Sequence, residues 1–382
     1  LLISLDSTRR DLLSCYGHEP THAPGRATSP NLDRLADEGV LFRDAYANSS
    51  WTLVSHLSLM TGQPAIVHGV DDVYQSYAAD DPLLAELLYV AGYRTAGFFS
   101  GPLLEPQYGF DRGFMRYEAC YGEQLAETSR VATELREARE TAGGLAEFEA
   151  AASAFQDAQA QLMGLSHADV SSKVVTDAVL DELDRAAQDD RPFFVFAHYF
   201  DPHYDYVPPE PFDVFDAGYD GEIDGVEFLT NPEIAAPKYS IAPREQRCSD
   251  RDLERVWALY EAELLWTDSE VGRILDRLEA LGVLDDTLIV VTSDHGDEFF
   301  EHGSIGHRRT LYEEVVQVPL IVRYPPGLPR GVEVRGLVSL VDVPATVLDL
   351  AGVPQPESVH GRSAVPLAKG KRSGDARSVP FR

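Results

Sequence analysis

The sequence predicts an α/β fold, a large and mostly parallel mixed sheet sandwiched by helices. Three observations predict it. Short apolar runs rich in β-branched and aromatic residues recur at 1–5, 94–99, 192–200, 288–291 and 318–324, the length and composition of buried strands. Stretches with apolar residues at helical spacing alternate with them, which is the pattern of a parallel sheet with crossover helices. Three of the runs end in polar clusters, at Asp6, at Asp201 to Tyr206, and at Asp294-His295. Open α/β sheets carry their chemistry at the carboxyl ends of strands.

In chain order, the first strand delivers Asp6, followed by Ser7, Thr8, Arg9, Arg10 and Asp11. An arginine fork near a carboxylate site suits an anionic substrate, and Arg10 is the candidate. The competing reading is a surface ion pair of Arg9 or Arg10 with Asp11. Ser29-Pro30 opens a helix that Gly39 stops, and residues 40–47 read as a short strand. The loop Asn48 to Trp51 and the run up to Gly62 place Thr52 at a helix N-terminus. Free N–H groups and the dipole favour an anion there. The Thr52 hydroxyl has two compatible readings, an N-cap and a nucleophile whose pKa a metal lowers.

A helix and a strand fill 83–99, and 108–114 is a loop. Residues 123–163, rich in Ala, Glu, Gln and Arg, read as an exposed helical insertion, a hairpin or a lid, and 170–187 as an amphipathic helix. The strand at 192–200 leads to His203, and an acidic irregular stretch then runs to about residue 250. A long helix at 251–281 precedes the strand that ends in Asp294-His295. Gly296 lets the chain turn into a loop that carries His302 and His307. A strand at 318–324, then a strand and helix within 338–350, complete the order, with a loose polar tail after residue 369.

The chain of 382 residues has 63 acidic against 32 basic side chains and a net charge of −31. That excludes nucleic acid as a partner, which needs a basic footprint. Only Lys173, Lys238, Lys369 and Lys371 are lysines; a carboxylate-rich, lysine-poor surface suits a high-salt cytoplasm, so a halophilic protein is expected. Cys15, Cys120 and Cys248 have neither metal spacing nor a disulfide framework. They fit a reducing compartment, and cytoplasmic localisation is favoured. The chain starts inside a strand-like run, so a truncated N-terminus is expected and secretion stays open. No stretch is apolar for long enough to cross a membrane.

Taken together, Asp6, Asp294 and His295 suit one divalent cation, with Thr52 held against it. Mn²⁺, Mg²⁺ and Ca²⁺ fit the donor set, with Zn²⁺ left open. His203 and His307 are placed to bind the oxygens of a transferred group or to protonate its leaving group. His56 is a candidate for anion binding or for positioning Thr52. For His203 the competing reading is a turn histidine packed on Tyr204 or Tyr206. His302, His18 and His22 read as surface residues.

The stretches LDSTRRDLLSCYG, TSPNLDRLADEGVLFRDAYAN, WTLVSHLSLMTG, YGFDRGF, HYFDPHYDYVPP, TSDHGDEFFEHG, GHRRTLYEEVVQVPLIVRYP and LVDVPATVLDLAG make the sequence resemble the sulfatase branch of the alkaline phosphatase superfamily. They lie in family order and reach from Leu1 to about Lys369. The resemblance implies a catalytic domain over 1–325 and a C-terminal part of the same fold over 326–382. It also implies hydrolysis or transfer of a sulfate or phosphate ester at a bound divalent cation.

Two departures shape the expected chemistry. Usual sulfatases oxidise a cysteine or serine to formylglycine and follow it with a proline and an arginine. Here those positions are Thr52, Val54 and His56. Oxidising a threonine would give a ketone, so no formylglycine is expected. The usual pair of adjacent aspartates is Asp6 and Ser7. Superfamily members with a threonine nucleophile act on phosphodiesters or transfer phosphoglycerol groups. By that resemblance Thr52 attacks to give a covalent phosphothreonine, and a phosphodiester is favoured over a sulfate ester. A second metal on Asp201, His203 and His307 is the alternative to a single ion, and the tight Asp201-Pro202-His203 spacing favours one. Two rival functions stay open: a phosphoglycerol- or phosphoethanolamine-type transferase to a glycan or lipid, and a non-catalytic binding protein. The expected partner is an anionic ester, either free or linked to a glycan or lipid.

Overall fold

The computed structural model describes residues 1–73, 75–166, 171–225 and 249–371. Their strands are β1 (Leu2–Leu5), β2 (Val40–Phe42), β3 (Ala45–Tyr46), β4 (Arg94–Phe99), β5 (Arg116–Ala119), β6 (Phe193–Tyr199), β7 (Ile289–Thr292), β8 (Glu298–Phe299), β9 (Ile305–Gly306), β10 (Leu320–Arg323), β11 (Val332–Val334) and β12 (Val338–Ser339). Eight form one sheet in the order β11-β2-β10-β7-β1-β6-β4-β5, and two ribbons pair β12 with β3 and β8 with β9. Within the large sheet β10 runs antiparallel to both its neighbours, while the other pairs are parallel.

The three central strands β6, β1 and β7 are almost wholly buried, which is why they read as continuous apolar runs rather than alternating ones. Leu2, Phe196 and Val290 face one core, and Ile3, Val195 and Val291 face the other. The helices Thr52–Thr61, Leu84–Val90 and Asp342–Ala351 bury apolar residues in the first core. Pro30–Glu38, Ser172–Ala186 and Asp250–Ala280 do so in the second. The helix Pro30–Glu38 is capped from outside, because Asp268 of the long helix accepts from the N–H groups of Asn31 and Leu32 at 3.0 and 2.8 Å. Such a cap stabilises by about 1 kcal/mol.

The structure refines several expectations. Residues 40–47 are not one strand: β2 joins the main sheet and β3 a ribbon, with Arg43-Asp44 between them. β5, β8, β9 and β11 are short and carry too few apolar residues to register in the sequence. The segment expected over 123–163 forms two helices, Glu123–Glu140 and Leu145–Ser166, the second running past the expected end; they pack on each other, and the second also leans on the turn Pro102–Leu104. Most of the acidic stretch before residue 250, with Cys248 and Lys238, and the tail from 372 lie outside the described residues. No helix among the described residues is long and apolar enough to cross a membrane.

Candidate active site

The end of β1 presents Asp6, the end of β7 presents Asp294 and His295, and the first turn of the helix Thr52–Thr61 presents Thr52. The helix is tied to β7 by the Ser55 hydroxyl, which donates to the Asp294 carbonyl at 2.7 Å. Thr52 Oγ1 lies 3.4 Å from Asp6 Oδ2 and 3.3 Å from His295 Nε2. It makes no capping bond; Trp51, with extended backbone, stands at the N-cap position and its side chain caps nothing. The hydroxyl is thus turned into the cluster rather than along its own helix.

Ser7 links the two aspartates. Its N–H donates to Asp294 Oδ1 at 3.2 Å and its hydroxyl to Asp6 Oδ1 at 2.9 Å. It does so with φ of +53°, a conformation that is costly for a side chain bearing a Cβ. His295 Nδ1–H donates to the Gly296 carbonyl at 3.2 Å, which leaves the Nε2 lone pair directed at the carboxylates, 3.3 Å from Asp294 Oδ2 and 3.8 Å from Asp6 Oδ1. Gly296 matters for close approach rather than for turning: a Cβ there would sit 2.2 Å from the Glu314 carbonyl oxygen.

Two histidines lie beneath this cluster. His56, expected to bind or position, is fully buried; its Nδ1–H donates to the Thr52 carbonyl at 2.9 Å and its Nε2 accepts from the Ser4 hydroxyl at 2.9 Å. It is therefore out of reach of a substrate and braces the helix turn that carries Thr52. His198, which sequence reasoning missed, donates from Nε2 to Asp6 Oδ2 at 3.1 Å, while its Nδ1 has no hydrogen bond. Its signal was available: a histidine inside the otherwise apolar run of β6.

Burial sets the charge states. It raises Asp6 to about 6 and Asp294 to about 7, the second helped by its proximity to Asp6. It lowers His295 and His198 to about 4 and His56 to about 3. Two buried carboxylates this close repel each other unless a proton or a cation lies between them.

The residues fit a divalent cation. One ligand atom each from Asp6, Asp294 and His295 lies within 4.8 Å of the others, all three residues are buried, and Asp294 Oδ2 has no hydrogen-bond donor. Two hard oxygens and an imidazole suit Mn²⁺, Mg²⁺, Ca²⁺ or Zn²⁺. The alternative second group, Asp201 with His203 and His307, does not assemble as read. Asp201 accepts from the N–H and hydroxyl of Ser172 at 2.9 and 2.5 Å, at the start of the helix Ser172–Ala186. Among the described residues the second converging group is instead His295, Asp297 and His307. Asp297, also missed, accepts from His307 Nδ1 at 2.7 Å and from the Tyr206 hydroxyl at 3.0 Å.

Above the cluster Trp51, Thr52, Pro102, Leu103, Phe200, His203, His307 and Arg308 line a narrow cleft. The His307 ring lies 4.2 Å from that of His295. His203 stacks on Phe200 and lies tilted against Tyr204, each 4.2 Å between centroids, and its Nδ1–H donates to the Tyr204 carbonyl at 2.9 Å. Both histidines expected at the transferred group thus reach one cleft with Thr52. Arg10 does not: its guanidinium donates to the Arg43 carbonyl at 2.7 Å and lies over Tyr16. The 3₁₀ turn Arg10–Leu12 carries it away from the end of β1. Arg9 is neither a surface residue nor a free anion binder. It is 2% exposed, pairs with Asp11 and Glu301, and donates to the Asp297 carbonyl at 3.1 Å. His302 stacks on Tyr312, and His18 and His22 pair with Glu261 and Glu254, all away from the cleft.

Comparison with known proteins is consistent with this geometry. The Sulfatase family model matches residues 1–353. An N-acetylglucosamine-6-O-sulfatase of Bacteroides thetaiotaomicron is 25% identical over the whole chain and 73% of its own length. Human arylsulfatase K is 35% identical over 32% of this chain, a match that spans only 22% of that relative. Among solved structures, one in complex with its substrate D-glucosamine-2-N,6-O-disulfate superposes with a TM-score of 0.68 over 99% of this chain and 82% of its own, at 22% identity. The phosphonate monoester hydrolase of Silicibacter pomeroyi gives a TM-score of 0.68 over 99% and 78%, at 24% identity. With the family model over nearly the full length and the same fold in these structures, the chain belongs to the sulfatase family of ester hydrolases, in the alkaline phosphatase superfamily.

Proposed function

We propose that this member is a metal-dependent hydrolase that cleaves a phosphodiester with Thr52 Oγ1 as nucleophile. The observation that carries the reading is the Thr52 hydroxyl, held 3.4 Å from Asp6 and 3.3 Å from His295 instead of capping its helix. Asp6, Asp294 and His295 would hold the cation, which when bound lowers the hydroxyl pKa and offsets charge on the transferred group. Thr52 Oγ1 releases its proton to solvent and forms a bond to phosphorus as the bond to the leaving oxygen breaks. His203 or His307 gives that oxygen its proton. Water then cleaves the phosphothreonine, which returns the hydroxyl and releases a phosphate monoester.

Burial and the charges of Arg308 and Arg309 hold His307 near 3. An anionic ester placed between these cations raises it and so arms it as an acid. A second reading, cleavage of a sulfate ester, draws on the full-length relationship to the N-acetylglucosamine-6-O-sulfatase.

A paired assay in high salt tests the proposal, with bis-p-nitrophenyl phosphate and p-nitrophenyl sulfate, each with Mn²⁺, Mg²⁺, Ca²⁺ or Zn²⁺. Phosphodiester turnover that disappears in Thr52→Ala supports it. Turnover of either ester that survives Thr52→Ala overturns the threonine nucleophile, and a clear preference for the sulfate overturns the choice of substrate.

A further inference from the structure

The cleft that holds Thr52 is lined by one cation that no described residue matches. Arg308 lines the cleft with its guanidinium 4.4 Å above the Trp51 ring. In a chain with net charge −31 arginines are readily matched by carboxylates, as Arg9, Arg94, Arg116, Arg251 and Arg323 are. The guanidinium of Arg308 makes no hydrogen bond and no ion pair with any described residue, and that of Arg309 makes none either. Asp72 acts on Arg308 only through space. Both arginines are exposed, and both act electrostatically on His307 and Tyr204.

The placement of Arg308 is imposed by the backbone. Its φ is +75°, unusual for a residue with a long side chain, and its N–H donates to the Ser50 carbonyl at 2.9 Å, just before the nucleophile helix. The stack on Trp51 fixes one face of the guanidinium and leaves its N–H donors at the edges. A planar fork with open edges is built for a carboxylate, phosphate or sulfate.

We infer that Arg308 and Arg309 form a subsite for a second anionic group of the substrate, so that the natural ester carries a carboxylate, phosphate or sulfate besides the group that Thr52 attacks. The inference rests on the reading of this cleft as an anionic-ester site. Division of labour follows from depth. The ester centre belongs on the buried floor, where Thr52, His203 and His307 meet, and Arg308, exposed and lining the same cleft with Arg309 next to it in the chain, stands where the remainder of the substrate would emerge. It also gives a strongly acidic protein a local attraction for a multiply charged anion, through two cations that no described carboxylate pairs.

The test is calorimetric and does not depend on turnover. Phenylphosphonate and 4-carboxyphenylphosphonate are titrated into Mn²⁺-loaded protein, wild type and Arg308→Ala/Arg309→Ala, with circular dichroism to verify folding. The expected result is tighter binding of the carboxylated probe by about tenfold in wild type, as for a charge-assisted pair, and loss of that preference in the double variant. Equal affinities in wild type, or a preference that persists in a folded double variant, overturn the inference. Equal weakening of both probes also overturns it, since the arginines would then grip the attacked group itself. A preference seen in protein that hydrolyses neither nitrophenyl ester keeps the subsite and sinks the proposed chemistry.

Discussion

Thr52 Oγ1 stands 3.4 Å from Asp6 Oδ2 although the two residues are 46 apart in sequence, so the first turn of a helix is docked on the end of the central strand. Because that hydroxyl caps nothing, its role in activity and its role in stability separate. Thr52→Ala is expected to lower turnover by on the order of 10³-fold or more while shifting folding stability by less than about 1 kcal/mol. Steady-state rates and urea denaturation on the same preparation check both halves. A large stability loss would mean that the hydroxyl is mainly structural.

His198 orients Asp6 from below, through the 3.1 Å bond to Oδ2. Replacing the partner of a metal-binding carboxylate typically weakens metal binding about 10- to 100-fold. His198→Ala should do so for Mn²⁺, and His198→Gln, which restores a donor, should recover part of it. Titration by calorimetry reads the effect, and unchanged affinity in His198→Ala would remove this histidine from the site.

Arg9 braces the loop after β7 from within the fold, through the Asp297 carbonyl and the side chains of Asp11 and Glu301. Arg9 is the buried member of this network while Asp11 and Glu301 reach solvent, so its removal costs about 1–3 kcal/mol through lost hydrogen bonds and packing rather than through a stranded charge. Arg9→Ala should therefore lower the urea midpoint, and Arg9→Lys should rescue little, because a lysine cannot reach three acceptors at once. A midpoint within error of wild type would contradict the bracing role.

Acid stability should depend on the metal. His56, His198, His295 and His307 have folded pKa values lowered to between about 3 and 4. Their contribution is present above the unfolded value near 6.5 and is lost as pH falls toward 4. Asp6, Asp294 and Asp297 are raised to between about 6 and 7; their contribution is full below the unfolded value near 3.8 and is lost as pH rises through 6 to 7. In metal-free protein the two sets oppose each other across pH 4 to 7 and the slope is shallow. A bound cation holds Asp6 and Asp294 ionised in the folded state and removes most of the opposition. Metal-loaded protein should therefore lose stability more steeply between pH 7 and 5 than the chelated form. Thermal unfolding with and without a chelator across that range checks it; parallel curves would show that these carboxylates do not hold the metal.

What the sequence made legible follows from burial. β1, β6 and β7 read clearly because both their faces are covered, and strand ends then pointed to Asp6, Asp294 and His295. His198 is visible in the run that identifies β6, but only the pairing of β6 with β1 shows that its side chain reaches Asp6. The direction of β10 is set by pairing with β2 and β7 over long separations, which a local pattern does not encode. Arg10 and Arg308 show the limit for side chains. Both follow a residue of the cluster closely, and only the backbone path decides which one meets the cleft: a 3₁₀ turn for the first, a left-handed residue for the second.

The position of the helices Glu123–Glu140 and Leu145–Ser166 has a modular consequence. They follow β5, the outermost strand on its side of the sheet, yet the second helix leans on the turn Pro102–Leu104, two of whose residues wall the cleft. A peripheral appendage is thus coupled to the entrance without sharing any strand with the reacting groups. A change in that appendage would therefore reach the cleft only through the wall at Pro102 and Leu103, while the register of β6, β1 and β7 stays as it is.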